Sequence, residues 1–521
     1  MKKILCLLVA LALTLGMVGC QDNSQISSTD SSGSTQSNEV SGNENSETPT
    51  EETNEKPAEI KMLFLTFSSA PADMQKVEDA INENIADKIN VKVDIEALSM
   101  GSYGQQINLM LTSNEKLDLF VTGNFGNLLT YSSQAPEGKL MALDELLEEY
   151  GQGVIEAVGE SYLHATRVDG KVYAIPKLSD EAQSMNFFMR KDIADKYGIT
   201  EKDVQSFEDI EPILQIIKEN EPDMYPYGVS NGAAMYNVMA SDHYDNLNDN
   251  IGVLLDSQVL EVTDLYQSDF YAETCQVARN WFTAGYIYPD IGNTSAQELV
   301  KSGRVFSYST AGKPGVIDQE QRSTGYELYN CQLRNQTTNT QSVTNFMWGI
   351  PSYSTEGVAA MKFLNLMYSD KEVVDLFSWG IEGEHYVKVE GQENIIDYPE
   401  GVTAETTGYN LNMGWLFGNQ FISYIWNGND ADLYDQLKEF NETAVVSKAT
   451  GFSFDTSSVS TEYAAVTNTI NQYDASLQSG QVDPETVLPE FINALKSAGI
   501  DKIIDAKQTA LDEWVAVNGE G

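Results

Sequence analysis

Ile60-Lys61-Met62-Leu63-Phe64-Leu65 is a nearly continuous apolar run, the pattern of a strand buried on both faces. Behind it, residues 73–89 place Met74, Val77, Ala80, Ile81 and Ile85 at helical spacing. Val91-Lys92-Val93-Asp94-Ile95 alternates as a second strand, residues 103–111 read as a helix, and Leu117-Asp118-Leu119-Phe120-Val121 is a third strand. Strand and helix in alternation predict an α/β unit with a largely parallel sheet. Ligands of such sheets sit outside the carboxyl ends of the strands. Phe67-Ser68-Ser69 and Thr122-Gly123-Asn124 are placed there, so Ser68, Ser69, Gly123 and Asn124 become candidate ligand contacts.

Further along, Asp169-Gly170 before Lys171-Val172-Tyr173-Ala174-Ile175-Pro176 is a hairpin signal, closed by a proline that removes a donor. A second set of helices and short strands follows over 185–289. It includes helical stretches at 206–220 and at 271–284, where the spacing of Trp281 suits core packing. Residues 301–310 read as a strand, and Trp348-Gly349-Ile350-Pro351 punctuates the start of another helical run. The tail is helical over 461–477, 484–497 and 501–514. No internal repeat is visible.

The first 57 residues break these periodicities. Lys2 and Lys3 precede an uncharged, mostly apolar run over 4–18, the layout of a secretory signal. The run is shorter than the roughly 20 residues a membrane span needs. Residues 21–57 are dominated by Ser, Asn, Thr, Glu and Gly and cannot bury enough surface to offset ordering. As a flexible coil they span about 35 Å, a tether for a folded body. The remainder of the 521 residues is long enough for two or three domains.

A formal charge of −47 repels nucleic acid phosphate and anionic lipid, so neither is expected as a partner. Three histidines, His164, His243 and His385, are scattered and no CxxC occurs, which argues against zinc. Asp242–Asn250 and Asn427–Ala431 both miss the register of a calcium loop. No metal and no cofactor is expected. Cys275 and Cys331 are read either as a pair or as two buried thiols. Neither a G-x-x-x-x-G-K-[ST] phosphate loop nor a G-x-S-x-G elbow is present.

Gly16-Met17-Val18-Gly19-Cys20 resembles the lipobox of bacterial lipoproteins, with Met17 where leucine is preferred. The resemblance implies lipidation of Cys20 and attachment to the outer face of the cell membrane through the lipid only. "DGKVYAIP" at 169–176 resembles the hairpin of extracellular solute-binding proteins, family 1, the carbohydrate-type components of bacterial ABC importers. "LDLFVTG" at 117–123, "AGYIYPD" at 284–290 and "MWGIP" at 347–351 follow in the family's order. The segments at 451–466, 482–504 and 511–514 are similar to the C-terminal domain of one lipoprotein subfamily.

The resemblance implies a two-lobe, periplasmic-binding-protein-like fold of type II, with a helical C-terminal extension. Its expected divisions are a signal peptide at 1–19 and the lipidated cysteine with its tether at 20–58. Lobe 1 is expected at 59–175 and 303–345, lobe 2 at 176–302 and 346–450, and the C-terminal domain at 451–521. The implied function is capture of an oligosaccharide between the lobes by a monomer and delivery to ABC permease subunits. Sugar sites pair aromatic faces with planar polar groups. That composition singles out Trp415 in the Tyr409–Gln420 stretch, Trp348 with Asn345, Tyr386 in Glu384-His385-Tyr386, and Gln183 and Asn186 past the first crossing. Alternative readings are an extracellular glycoside hydrolase, which needs two flanking carboxylates, or a binder of a non-sugar solute such as a peptide.

Overall fold

The computed structural model describes residues 56–67, 69–124, 131–229, 234–290 and 294–519. The expected signal peptide, Cys20, most of the expected tether and Ser68 lie outside the described residues. Two five-stranded sheets are built from β1 (Ala58–Thr66), β2 (Val91–Ser99), β3 (Leu119–Thr122), β4 (Ala174–Pro176), β5 (Gln183–Arg190), β6 (Tyr225–Gly228), β7 (Val305–Gly312), β8 (Leu328–Thr338), β9 (Met347–Gly349) and β10 (Val445–Val446). The principal helices are α1 (Met74–Ile89), α2 (Met100–Ser113), α3 (Gln152–Ala165), α4 (Ile210–Asn220), α5 (Asp269–Thr283), α6 (Gly357–Ser369), α7 (Lys371–Trp379), α8 (Leu433–Glu442), α9 (Ser460–Gln478), α10 (Pro484–Ala498) and α11 (Ile500–Asn518).

The first sheet runs β2-β1-β3-β9-β4. β1 pairs parallel with β2 and β3, whereas β9 lies antiparallel between β3 and β4. The second sheet, β10-β8-β5-β7-β6, is mixed, with β5 antiparallel to both its neighbours. The expected parallel character therefore holds for the βαβ start of the chain and gives way where strands return from elsewhere. The Asp169-Gly170 hairpin forms as read, with both turn residues at positive φ (49° and 78°), as a type I′ turn requires.

The returning segments are exchanged relative to the expectation. Residues 303–345 supply β7 and β8 to the second sheet, not the first. Residues from Met347 to Phe417 supply β9 and helices α6 and α7, and they pack into the core of the first lobe around Phe64, Phe120 and Ile175. Only α8 and β10, later in the chain, rejoin the second sheet. Alternation and proline cues locate strands but carry no record of which sheet receives them. The three C-terminal helices pack on Tyr236, Val253, Tyr266 and Tyr271 through Phe491, Leu495 and Ile503, and so belong with the second lobe.

Three segments cross between the lobes: 177–182, 339–346 and the stretch after Phe417. The first and third run side by side, Leu178 N–H donating to Gly418 O (2.8 Å) and Gln420 N–H to Leu178 O (2.9 Å). Cys275 and Cys331 are free and buried in separate cores, which settles the cysteine alternatives for two thiols. Burial pushes both thiols up to about 12.

Candidate functional site

The crossings are lined by adjoining cavities. The first, of about 240 Å³, lies between the end of β7 and the aromatic end of the first lobe. Trp415 forms its floor, half-buried, with Phe346 edge-on at 4.9 Å and Phe67 tilted at 6.4 Å. Phe67 follows directly on β1 and is 57 % exposed, a large aromatic face left open next to a buried strand. Lys177 stands over the Trp415 ring, 5.9 Å from its centre.

The polar wall of this cavity is locked internally. Lys313 pairs with Asp180, and Lys177 donates to Ser179 Oγ (2.6 Å) and Glu181 Oε1 (3.2 Å). Burial alone would raise the Asp180 carboxyl, but Lys313 and Lys177 outweigh it and bring it down to about 2. Burial holds Glu181 above the ordinary carboxylate range despite Lys177. Asn441 from α8 clamps the crossing, donating to Ser179 O (2.8 Å) and Glu181 Oε2 (3.1 Å) and accepting from Ala182 N–H (3.0 Å). Both carboxylates are thus structural ties of the crossing and poorly placed to act as a free acid and base pair.

A second cavity, of about 310 Å³, shares Gln183, Ser342 and Asn345 with the first and continues past Asn246 and Arg334. Asn345 Oδ1 and Arg334 Nε are buried with no protein partner. Such groups are costly unless something supplies the missing hydrogen bond. A third cavity, of about 270 Å³, opens beyond Asn124. A further one, about 470 Å³, lies by α3 and α8 with Ala157, Val158, Phe421, Ile422 and Val446 in its wall.

The expected contacts divide in space. Gln183, Asn345 and Trp415 line the first cavity, and Asn124 the third. Ser69 is exposed just past β1. Gly123 is a close-approach position: a Cβ there would lie 2.0 Å from Asn345 O. Asn186 lies within the second sheet, donating to Asn330 Oδ1 and accepting from Ser184 Oγ, both at 2.6 Å. Trp348 is fully buried, its Nε1 donating to Leu416 O at 2.8 Å. Tyr386 is buried against Tyr424 and lines none of these cavities. Phe67, Lys177 and Arg334 line or border the cleft without having been singled out. The strand-end rule that pointed to Ser68 and Ser69 was the signal for Phe67.

Among the described residues, Asp73, Glu384 and His385 bring metal-type ligand atoms within 4.8 Å of one another. His385 Nδ1 accepts from Ile381 N–H (2.9 Å), so Nε2 carries the proton and faces Asp73 Oδ2 at 3.3 Å. Lys76 already sits 3.2 Å from Asp73 and 2.5 Å from Glu384. The cluster is an ion-pair network joining α1 to the 381–385 turn, and a metal would have to displace its lysine. No helix among the described residues is long and apolar enough to cross a membrane.

Comparison with known proteins follows this geometry. Residues 71–374, more than half of the chain, match the bacterial extracellular solute-binding protein family, and residues 448–516 match a domain of unknown function, DUF3502. A carbohydrate ABC transporter substrate-binding protein of Streptococcus pneumoniae serotype 4 is 29 % identical over 88 % of this chain and 91 % of its own. The crystal structure of the N-glycan transport solute binding protein NgtS from Streptococcus pneumoniae is 26 % identical, covers 88 % of this chain and 99 % of its own, and superposes with a TM-score of 0.77. The same protein in complex with Man5GlcNAc gives 27 % identity, 88 % and 99 % coverage, and a TM-score of 0.66. An extracellular solute-binding protein from Bifidobacterium longum subsp. infantis, at 15 % identity over 89 % of this chain and 99 % of its own and with a TM-score of 0.61, shares the fold.

Proposed function

The chain belongs to the bacterial extracellular solute-binding proteins, and from that premise we propose that it captures an oligosaccharide between its lobes and hands it to an ABC import permease. The observation that carries this reading is the Trp415 floor, with Phe67 beside it, facing Gln183 and the unpartnered Asn345 Oδ1. Aromatic faces cover the apolar faces of sugar rings, and planar amides meet hydroxyls from the side. Relatives described as carbohydrate and N-glycan binders support the same class. The contacts we assign to the ligand are Phe67, Asn124, Gln183, Asn345 and Trp415. Trp348 and Asn186 act beneath the site, as packing and as sheet hydrogen bonding.

The division we propose follows the strand pairing: lobe 1 from 58–176 and 346–418, lobe 2 from 183–338 and 433–450, and a C-terminal domain from 451 onward. The lipobox-like Gly16–Cys20 and the polar tether support a lipid anchor at Cys20 that holds a monomer beside its permease. Lobe closure on the ligand follows hinge logic, the crossings absorbing the rotation.

Titration calorimetry tests the reading with Man1GlcNAc, Man5GlcNAc, a wider glycan panel and a peptide panel. Saturable glycan binding with no peptide binding is the expected result. Absence of binding to every glycan refutes the carbohydrate assignment.

A further inference from the structure

We propose that the C-terminal helical domain forms a distal subsite of the cleft, which holds a further neutral sugar unit of a long oligosaccharide. The inference rests on the carbohydrate reading above and gives the domain a part in recognition. Three regions converge on the third cavity: Asn124 and Ser133 from lobe 1, Asn248 and Asp249 from lobe 2, and Phe454 and Tyr463 from the C-terminal domain.

This cavity continues the cleft. Asn246 lines the second cavity, and its chain neighbours Leu247, Asn248 and Asp249 line the third. On the other side, Asn124 Nδ2 donates to Thr344 Oγ1 (2.8 Å), one residue before the Asn345 that lines the first two. A ligand leaving the Trp415 floor along the second crossing reaches the C-terminal domain next.

The polar groups specify what would bind. Asn124 Oδ1 and Asn248 Oδ1 are buried without a protein partner, two acceptors that hydroxyl donors would satisfy. Of the two carboxylates here, Asp249 is paired with a cation and Asp455 is held by neutral donors. Asp249 Oδ1 accepts from Lys507 Nζ (2.6 Å) and Ile251 N–H (3.0 Å), and its Oδ2 from Tyr463 OH (3.1 Å). Asp455 Oδ1 accepts from Ser457 N–H (2.9 Å) and Oγ (2.6 Å). Two aromatic residues, two open amide acceptors and carboxylates that accept hydrogen bonds fit a polyol without an acidic group of its own.

The loop bearing Asn248 is held in shape from both sides. Leu247, Asn248 and Asn250 all take positive φ (45°, 75° and 61°), which asparagine tolerates but which marks Leu247 as a constrained position. Fully buried Lys507 on α11 fixes Asp249, and Asn246 Nδ2 reaches Gln341 Oε1 (2.7 Å) on the second crossing. The domain thus both lines the subsite and sets the loop opposite.

Two variants of the full chain test this, each titrated with Man1GlcNAc and Man5GlcNAc. Asn248→Gly removes an amide acceptor and relieves positive φ, so it keeps the fold. Ser133→Trp fills the cavity from lobe 1 without touching the C-terminal domain. Both should leave the Man1GlcNAc Kd within about twofold and weaken Man5GlcNAc about tenfold, the scale of one lost polar contact and its packing. Equal weakening of both glycans, or unchanged Man5GlcNAc affinity in Asn248→Gly, overturns the distal subsite while leaving the carbohydrate reading intact. Failure of the unsubstituted protein to bind either glycan overturns that reading, and the subsite with it. If Ser133→Trp does not fold, Asn248→Gly decides alone.

Discussion

Replacing Lys507 with methionine isolates the ionic link between the C-terminal helices and the 245–250 loop. The thioether keeps the apolar stem, so packing near Phe454 survives and only the ammonium is lost. That ammonium has no solvent exposure and makes hydrogen bonds to Asp249 Oδ1 (2.6 Å) and Gly252 O (3.2 Å). Its removal leaves a carboxylate only 16 % exposed. Breaking a buried pair on one side costs about 3–5 kcal/mol. Asp249 retains Ile251 N–H, Tyr463 OH and some water, which places the expected cost at the lower end, about 3 kcal/mol. A multidomain chain has no single unfolding free energy, so native-state hydrogen exchange is the appropriate assay. Amides of α11 should exchange about a hundredfold faster, from 1.36 kcal/mol per decade, while those of α1 stay unchanged. Adding Asp249→Asn should recover most of the loss, since the orphaned charge goes with it. A single-variant effect below about 1 kcal/mol, or no recovery in the double variant, refutes the argument that burial makes this pair structural.

Phe67→Ala should leave thermal stability within about 0.5 kcal/mol because the ring is largely exposed. It should nevertheless weaken glycan binding about tenfold by calorimetry; unchanged affinity removes Phe67 from the site. Asp180, lowered from 3.8 to about 2, contributes stability above the higher value and loses it as pH falls toward the lower, roughly 2 kcal/mol in all. Native-state hydrogen-exchange protection around the 177–182 crossing should therefore fall further between pH 6 and pH 3 in the unsubstituted protein than in Asp180→Asn. Gly123→Ala forces a methyl to within 2.0 Å of Asn345 O, and glycan affinity and melting temperature should both drop, by about 1–3 kcal/mol in stability. Cys275 and Cys331, buried with thiols raised to about 12, should escape iodoacetamide at pH 8 in the native state and react after unfolding, as read by peptide mass mapping.

Local pattern carried much of the architecture. The apolar run at 60–65, the alternation at 91–95 and the helical spacing of Val77, Ile81 and Ile85 all became the elements they implied, because each is set by burial within a few residues. Sheet membership was not local. β7 and β9 are both fully or largely buried strands, and nothing within them distinguishes the second sheet from the first. Site residues failed similarly at Trp348, whose composition suits a sugar platform but whose position between β3 and β4 makes it core. Phe67 lies at the strand end but reads as one more core position, because β1 is buried on both faces and alternation cannot mark where burial ends. Lys177 and Asn441 meet across 264 positions of chain through Glu181, a pairing that no spacing rule anticipates.

The interleaving of the two sheets also constrains the order in which the molecule can be made. β3 and β4 have no direct pairing; β9 must be inserted between them, and it lies some 170 residues beyond β4 in the chain. The second sheet waits longer, since its edge strand β10 arrives only at Val445. Neither half can complete itself during the first two-thirds of synthesis, and contacts of such long range form slowly. The growing chain is thereby kept from early closure, leaving an interval in which it is still a thread that can be passed elsewhere before it folds.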